Sequence, residues 1–184
     1  PDVNGYQPGD RVTYTGSPLG AYSTERVMPI SSLIKLPVDI THETAAAMTM
    51  RGLTSAYLMR RVWPLRTGDV VLFHAAAGGV GLIVSQWAKL LGLTVIGTVS
   101  TEAKAEVARA HGCDHVINYR HEDIAKRVRE LTDGKGVPVV YDSVGKDTLA
   151  ASLDSLQVRG TLVSNGTSSG PVVIDTMQLA AKGS

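Results

Sequence analysis

Hydrophobic and polar positions follow two regimes along this chain. Up to about residue 40, short β-prone runs alternate with turn residues. Arg11 to Thr15 follows the turn signal Pro8-Gly9-Asp10, Ala21 to Met28 is a second run, and Leu33 to Leu36 is a third, stopped by Pro37. From Thr41 the pattern changes. Thr41 suits an N-cap and Glu43 favours the positive end of a helix. The Ala-, Leu- and Met-rich stretch to about Trp63 predicts a helix, interrupted near Gly52 and ended by Pro64.

The pattern then alternates regularly. Asp69 to His74 predicts a strand whose centre, Val70 to Phe73, is an unbroken apolar run, as a parallel strand covered on both faces requires. Gly79 to Leu91 predicts a helix with Val80, Val84, Trp87, Ala88 and Leu91 on one face, closed by Gly92. Strands are predicted at Thr94 to Val99, His115 to Asn118, Val137 to Tyr141 and Thr161 to Ser164. Helices are predicted between them at Thr101 to His111, His121 to Thr132 and Lys146 to Leu156. Five βα-type units in succession predict an α/β fold with a doubly wound parallel sheet, the Rossmann arrangement. Three β runs in about forty residues are too few to close a core. The last predicted helix, Met177 to Lys182, has no strand after it. The expectation is therefore a piece of a longer protein, with residues 1–45 the tail of a β-rich domain and 46–184 a nucleotide-binding domain lacking its last strand.

Composition narrows the function classes. The chain has 184 residues, 43% of them hydrophobic and 19% charged, as in an ordinary globular protein. Lys+Arg number 18 against Asp+Glu 17, a formal net charge of +1, which argues against a dedicated nucleic-acid or anionic-membrane binder. One cysteine excludes an intrachain disulfide and a Cys-rich zinc site. No apolar run approaches the roughly 18 residues of a membrane span, and the first residues lack the features of a signal peptide. A soluble, reduced, cytoplasmic protein is the expectation.

The sharpest motif is VLFHAAAGGVG, Val71 to Gly81, where a strand enters a Gly-rich turn that opens a helix. Ala76, Gly78 and Gly81 occupy the three key places of the dinucleotide fingerprint, with alanine in place of its first glycine. Small residues there let the backbone, Ala77 to Val80, approach a pyrophosphate, and helix-start amides donate to it. The alternative is a tight βα turn without a ligand. An NAD site carries Asp or Glu at the end of the second strand. Here that strand ends in Ser100 and Thr101, with Lys104 one helical turn on, which suits a 2′-phosphate and hence NADPH. Ser100 and Thr101 would serve equally as plain helix caps.

FHAAAGGVGLIVSQWAKLLG, VIGTVST, VINYR, VYDSVG and VSNGTSSG, in this order, resemble the NADPH:quinone oxidoreductases, the zeta-crystallin-like, zinc-free branch of the medium-chain dehydrogenase/reductase superfamily. The resemblance runs from PGDRV and GAYS to KGS. It implies that residues 1–45 are the C-terminal part of a GroES-like catalytic domain. Thr54 would lie by the nicotinamide half. Gly78, Gly79 and Val80 would hold the pyrophosphate, and Ser100, Lys104 and Tyr119 the 2′-phosphate. Ser143 would edge the adenosine side, and Asn165, Gly166, Thr167 and Ser168 would approach the nicotinamide. The family commonly has an aromatic residue at the place of Asn165. The implied activity is zinc-independent electron transfer from NADPH to a quinone, or reduction of an enone or alkenal on the same scaffold. A third possibility, from another class, is a non-catalytic dinucleotide- or RNA-binding crystallin. The implied full-length protein is a homodimer, paired through a sixth strand.

Zinc-dependent relatives place a cysteine in the segment matching Met48 to Thr54, and none is present. His111, Cys113 and His115 straddle a helix end and a strand start, so their side chains should not converge on a metal. His74 is expected to order the phosphate turn rather than transfer protons, and Asp142 to serve a turn or cap. No triad and no carboxylate pair is visible. Catalytic residues therefore stay unassigned, most of the pocket belonging to the expected missing domain.

Overall fold

The computed structural model describes residues 5–16 and 19–181. The chain divides into two compact units, 1–54 and 55–184.

In the first unit, β1 (Val12–Thr13) pairs antiparallel with β2 (Ile34–Lys35). Ala21 to Met28 forms no strand, contrary to expectation: it has bends and irregular backbone, and Val27 is almost fully exposed. A β-prone run stays a strand only when a ladder partner takes up its amides, and among the described residues none does. Helix α1 (His42–Tyr57) begins at Thr41, whose hydroxyl accepts from the Thr44 amide at 3.1 Å. It runs straight through Gly52, correcting the expected interruption. One glycine costs a helix only about 1 kcal/mol, which the Ala-rich neighbours absorb. The irregularity comes later, as a π-helical turn at Leu58–Val62 ahead of Pro64.

The second unit holds a five-stranded parallel sheet. Its strands are β3 (Val70–Phe73), β4 (Thr94–Val99), β5 (His115–Asn118), β6 (Val137–Asp142) and β7 (Leu156–Ser164), in spatial order β5-β4-β3-β6-β7. Helices α2 (Gly79–Leu90), α3 (Glu102–Ala110), α4 (Ile124–Leu131) and α5 (Leu149–Ser155) connect them, and α6 (Thr176–Ala181) follows the sheet. The expected doubly wound architecture is thus present. Lys182, at the end of the last predicted helix, lies outside the described residues, as do Gly183 and Ser184.

Strand alternation builds two cores. Val71, Phe73, Val95, Val99 and Tyr141 face one side, where Val84 and Ala88 of α2 and Ala105 and Ala108 of α3 cover them. Leu72, Ile96, Ile117 and Val140 face the other, under Ile124 and Val128 of α4 and Leu153 of α5. A register shift between Val137 and Val139 moves Val137 to the second core, against the parity of its strand. β7 starts at Leu156, directly after α5, so it is longer than the predicted Thr161 to Ser164. No helix among the described residues is long and apolar enough to cross a membrane.

Candidate functional site

The sheet order reverses between β3 and β6, and the carboxyl ends of the strands open there into a cavity of about 610 Å³. Its walls come from the loops after β3, β4, β5 and β6 and from α3, α4 and α5.

The turn after β3 is shaped by what its neighbours leave no room for. A Cβ on Gly81 would lie 2.4 Å from the Ala76 carbonyl oxygen, so α2 packs against the turn at a distance only glycine allows. Ala75 adopts φ 55°, in the left-handed region. Its carbonyl accepts from the Gly78 amide at 2.8 Å. Gly78 caps α2 without a side chain, and the first turn of α2 carries no acid. Leu82 is the first residue to close a bond back, to the Gly78 carbonyl at 2.9 Å. The amides of Gly79, Val80 and Gly81 are therefore left without a partner inside the helix, and the helix dipole adds to their positive field. An anion of phosphate type fits such a terminus.

Ala77, Gly78, Ser100, Lys104 and Tyr119 line the cavity. Lys104 Nζ donates to Ser100 Oγ at 3.4 Å, which brings the cation and the hydroxyl together. Lys104 is the only lysine or arginine among the lining residues. Thr101 stands outside the wall and caps α3, its hydroxyl accepting from the Lys104 amide at 3.3 Å. Gly79 and Val80 also lie outside the wall. Sequence reasoning missed the acidic lining residues Glu122, Asp123, Asp147 and Asp154. Glu122 accepts from the Asn118 amide at 2.9 Å, and Asp123 caps α4 through the Lys126 amide at 2.8 Å. The Asp-x-x-Lys spacing before an amphipathic run was the available signal for the second of these.

Ser143, Asn165, Gly166, Thr167 and Ser168 form a second group beside the cavity, outside its wall. The Asn165 amide donates to the Asp142 carbonyl at 2.8 Å, and Ser168 to the Ser143 carbonyl at 3.3 Å. A Cβ on Gly166 would lie 2.6 Å from the Ser143 oxygen, so the loops after β6 and β7 touch backbone to backbone. The side-chain oxygen of Asn165 is buried without a hydrogen-bond partner, an acceptor that a bound amide donor would satisfy. Thr54 belongs to the first unit, where its hydroxyl donates to the Met50 carbonyl at 2.9 Å.

His74 is fully buried behind the turn, between Thr98 Oγ1 at 3.0 Å and Ser152 Oγ at 2.9 Å. Burial pushes its pKa below the ordinary imidazole value, against the attraction of Asp142. Burial also opposes the charge on Asp142. The hydrogen bond from Ser152, the nearby His74, the Gly145 amide and the Thr148 hydroxyl outweigh it and hold the carboxyl below its ordinary pKa. Both groups thus keep their neutral-pH forms, a neutral ring and a carboxylate.

The His111-Cys113-His115 segment disperses its side chains. Cys113 is buried and donates to the His115 carbonyl at 3.2 Å, while His111 Nδ1 contacts the Val107 carbonyl at 2.8 Å. Among the described residues, no group of three or more His, Cys, Asp or Glu could hold a metal ion.

A family model described as zinc-binding dehydrogenase matches residues 79–184. The quinone oxidoreductase of Pseudomonas aeruginosa is 54% identical over 184 residues, 100% of this chain and 57% of that protein. The 2-haloacrylate reductase of a Burkholderia species is 52% identical over 172 residues, 92% of this chain and 52% of that one. The crystal structure of Escherichia coli quinone oxidoreductase complexed with NADPH superposes with a TM-score of 0.95 at 50% identity, covering 98% of this chain and 56% of that one. The chain spans a little over half the length of these relatives. By sequence and fold together, it belongs to the zinc-binding dehydrogenase family of the medium-chain dehydrogenase/reductase superfamily.

Proposed function

We propose that this chain supplies the NADPH-binding part of a zinc-independent, cytoplasmic reductase of quinone oxidoreductase type. The observation that carries the reading is the N-terminus of α2, free of any side-chain cap, beside a cavity whose other wall presents Ser100, Lys104 and Tyr119. Ala77, Gly78, Gly79 and Val80 would hold the pyrophosphate through backbone amides. Ser100, Thr101, Lys104 and Tyr119 would take the 2′-phosphate. Ser143 would border the adenosine. Asn165, Gly166, Thr167 and Ser168 would approach the nicotinamide, and the resemblance assigns Thr54 to the nicotinamide half as well. When bound, NADPH supplies a hydride, and the protein supplies orientation and exclusion of water. The absence of a cysteine between Met48 and Thr54 supports the zinc-independent reading.

Two of the cavity-wall carboxylates, Glu122 and Asp123, already have partners within the protein. Glu122 is tied to the Asn118 amide at 2.9 Å and to Arg127 at 3.6 Å, and Asp123 to its own helix. Lys104 carries no such partner charge in the ion pairs of the described residues. The full-length enzyme would be a homodimer, as the family resemblance implies.

The acceptor is a quinone in the first reading. An activated alkene is the second, favoured by the 52% identity to a 2-haloacrylate reductase. A structural or RNA-binding role has no support from the net charge of +1.

Calorimetric titration with NADPH and, separately, NADH tests the cofactor reading. NADPH should bind tighter, and Lys104→Ala should weaken NADPH by roughly 10-fold or more while leaving NADH unchanged, since a charge-assisted bond is worth about 1.5–3 kcal/mol. Equal binding of the two cofactors by the unsubstituted chain would overturn the 2′-phosphate assignment. NADPH oxidation by quinones against 2-haloacrylate then separates the acceptors.

A further inference from the structure

A line of buried polar groups runs from the end of β6 to the turn after β3, and its acidic end dictates the direction of every hydrogen in it. The Asp142 carboxylate only accepts, so Ser152 Oγ donates to Asp142 Oδ2 at 2.7 Å. With its one proton used, Ser152 must accept at the 2.9 Å contact with His74, and the ring Nε2–H donates. A neutral ring protonated on Nε2 leaves Nδ1 bare, and Nδ1 accepts from the Thr98 hydroxyl at 3.0 Å. The Thr98 oxygen then receives the Ala75 amide at 3.3 Å. Ala75 is the residue at φ 55°, and its carbonyl holds the amide of the helix cap Gly78 at 2.8 Å. The line therefore ends at the N-terminus of α2.

We propose that Ser152 and Asp142 are positioning residues for the dinucleotide turn. They hold His74 in its Nε2–H tautomer and, through Thr98, keep Ala75 in the left-handed conformation that sets the first amides of α2 for a pyrophosphate. This deepens the NADPH reading and rests on it. Neither residue touches the cofactor in this account. A side chain with a Cβ avoids left-handed backbone unless its surroundings hold it there, and this hydrogen-bonded line holds it together with the Ala76 amide, which donates to the Thr98 carbonyl at 3.0 Å. Its members are far apart in sequence, His74 and Ser152 lying 78 positions from one another.

The test uses the full chain with labelled imidazole nitrogens, read by long-range nitrogen–proton spectra, together with NADPH titration well below the melting temperature. The unsubstituted chain should show His74 as the Nε2–H tautomer without cofactor. Ser152→Ala should move the ring toward the other tautomer and weaken NADPH by roughly 10-fold, since binding must then restore the strained left-handed turn at Ala75. Ser152→Thr, which keeps the hydroxyl, should restore both. Adding Ala75→Gly to Ser152→Ala should recover most of the affinity, because glycine occupies left-handed backbone freely. Ser155→Ala removes a buried hydroxyl of the same helix, bonded to the Ala151 carbonyl at 2.7 Å. It should lower the melting temperature and leave tautomer and affinity alone. An Nδ1–H tautomer in the unsubstituted chain, unchanged affinity in Ser152→Ala, or an equal loss in Ser155→Ala would each overturn the proposal. If the unsubstituted chain binds no NADPH, the cofactor reading fails and the positioning claim with it; the tautomer, read without cofactor, tells the two failures apart.

Discussion

The same substitution should have opposite signs in two helices of this protein. Replacing a helical glycine by alanine ordinarily gains up to about 1 kcal/mol. At Gly52, in α1, an added Cβ meets nothing within 4 Å, so Gly52→Ala should raise stability by nearly that amount. At Gly81 the added carbon would lie 2.4 Å from the Ala76 oxygen and 2.7 Å from its carbonyl carbon and Cα. Non-bonded carbons rest at about 3.5–4.0 Å, so α2 would have to withdraw by roughly 1 Å. The obstacle is backbone of a fully buried residue, not a side chain that can swing away. Overpacking of this kind costs about 1–3 kcal/mol and sometimes more. Unyielding backbone at 2.4 Å puts the cost at the upper end, about 3 kcal/mol; less a propensity gain of about 1 kcal/mol, Gly81→Ala should lose about 2 kcal/mol, or roughly 4–8 °C of melting temperature for a chain of this size. Thermal melts followed by circular dichroism, with urea midpoints alongside, measure both variants. NADPH titration of Gly81→Ala should show weakened binding, because the helix start has moved. A Gly81→Ala chain that melts at or above the unsubstituted temperature would refute the close-approach argument and remove the reason for a glycine at that place.

Two further outcomes are expected. Burial pushes the Cys113 thiol up to about 12, so native protein should react with a thiol reagent only as fast as it opens; rapid labelling of folded chain would contradict its placement. Acid should destabilise the protein in two stages, seen as falling urea midpoints. His74 has a folded pKa below its ordinary 6.5, so its contribution is complete above that pH and is lost as pH falls below it. Asp142 has a folded pKa below its ordinary 3.8, so its contribution is complete above that value and is lost as pH falls through the folded pKa. His74→Gln should abolish the upper stage and keep the lower one, and survival of the upper stage would assign it elsewhere.

What could be read from the sequence follows from the range of the forces involved. Local pattern was enough for the inner parallel strands, since a strand covered on both faces must be largely apolar, and β4 begins and ends where the pattern says; the short edge strand β5 keeps its predicted bounds as well. It was enough for the turn at Gly78 and Gly81, because small residues there answer to steric limits a few residues away. It misjudged Gly52, where a weak local cost is outweighed by fifteen better helix formers, and it misjudged Ala21 to Met28, where strand formation depends on a partner that the run itself cannot specify. The acidic side of the cavity was illegible for a related reason. Glu122 and Asp123 reach the wall from one stretch of chain and Asp147 and Asp154 from another, and apart from the cap at Asp123 each reads by itself as a solvated surface charge. The same holds for the line from Asp142 to Ala75. His74 and Asp142 could be singled out as residues of a turn and a cap, but Ser152 could not, because a serine on an amphipathic helix acquires its meaning only from the ring it faces. The sheet brings the ends of β3 and β6 together at the switch point, and so the sequence most easily recognised, the glycine turn, depends for its conformation on residues that no pattern in its own neighbourhood could name.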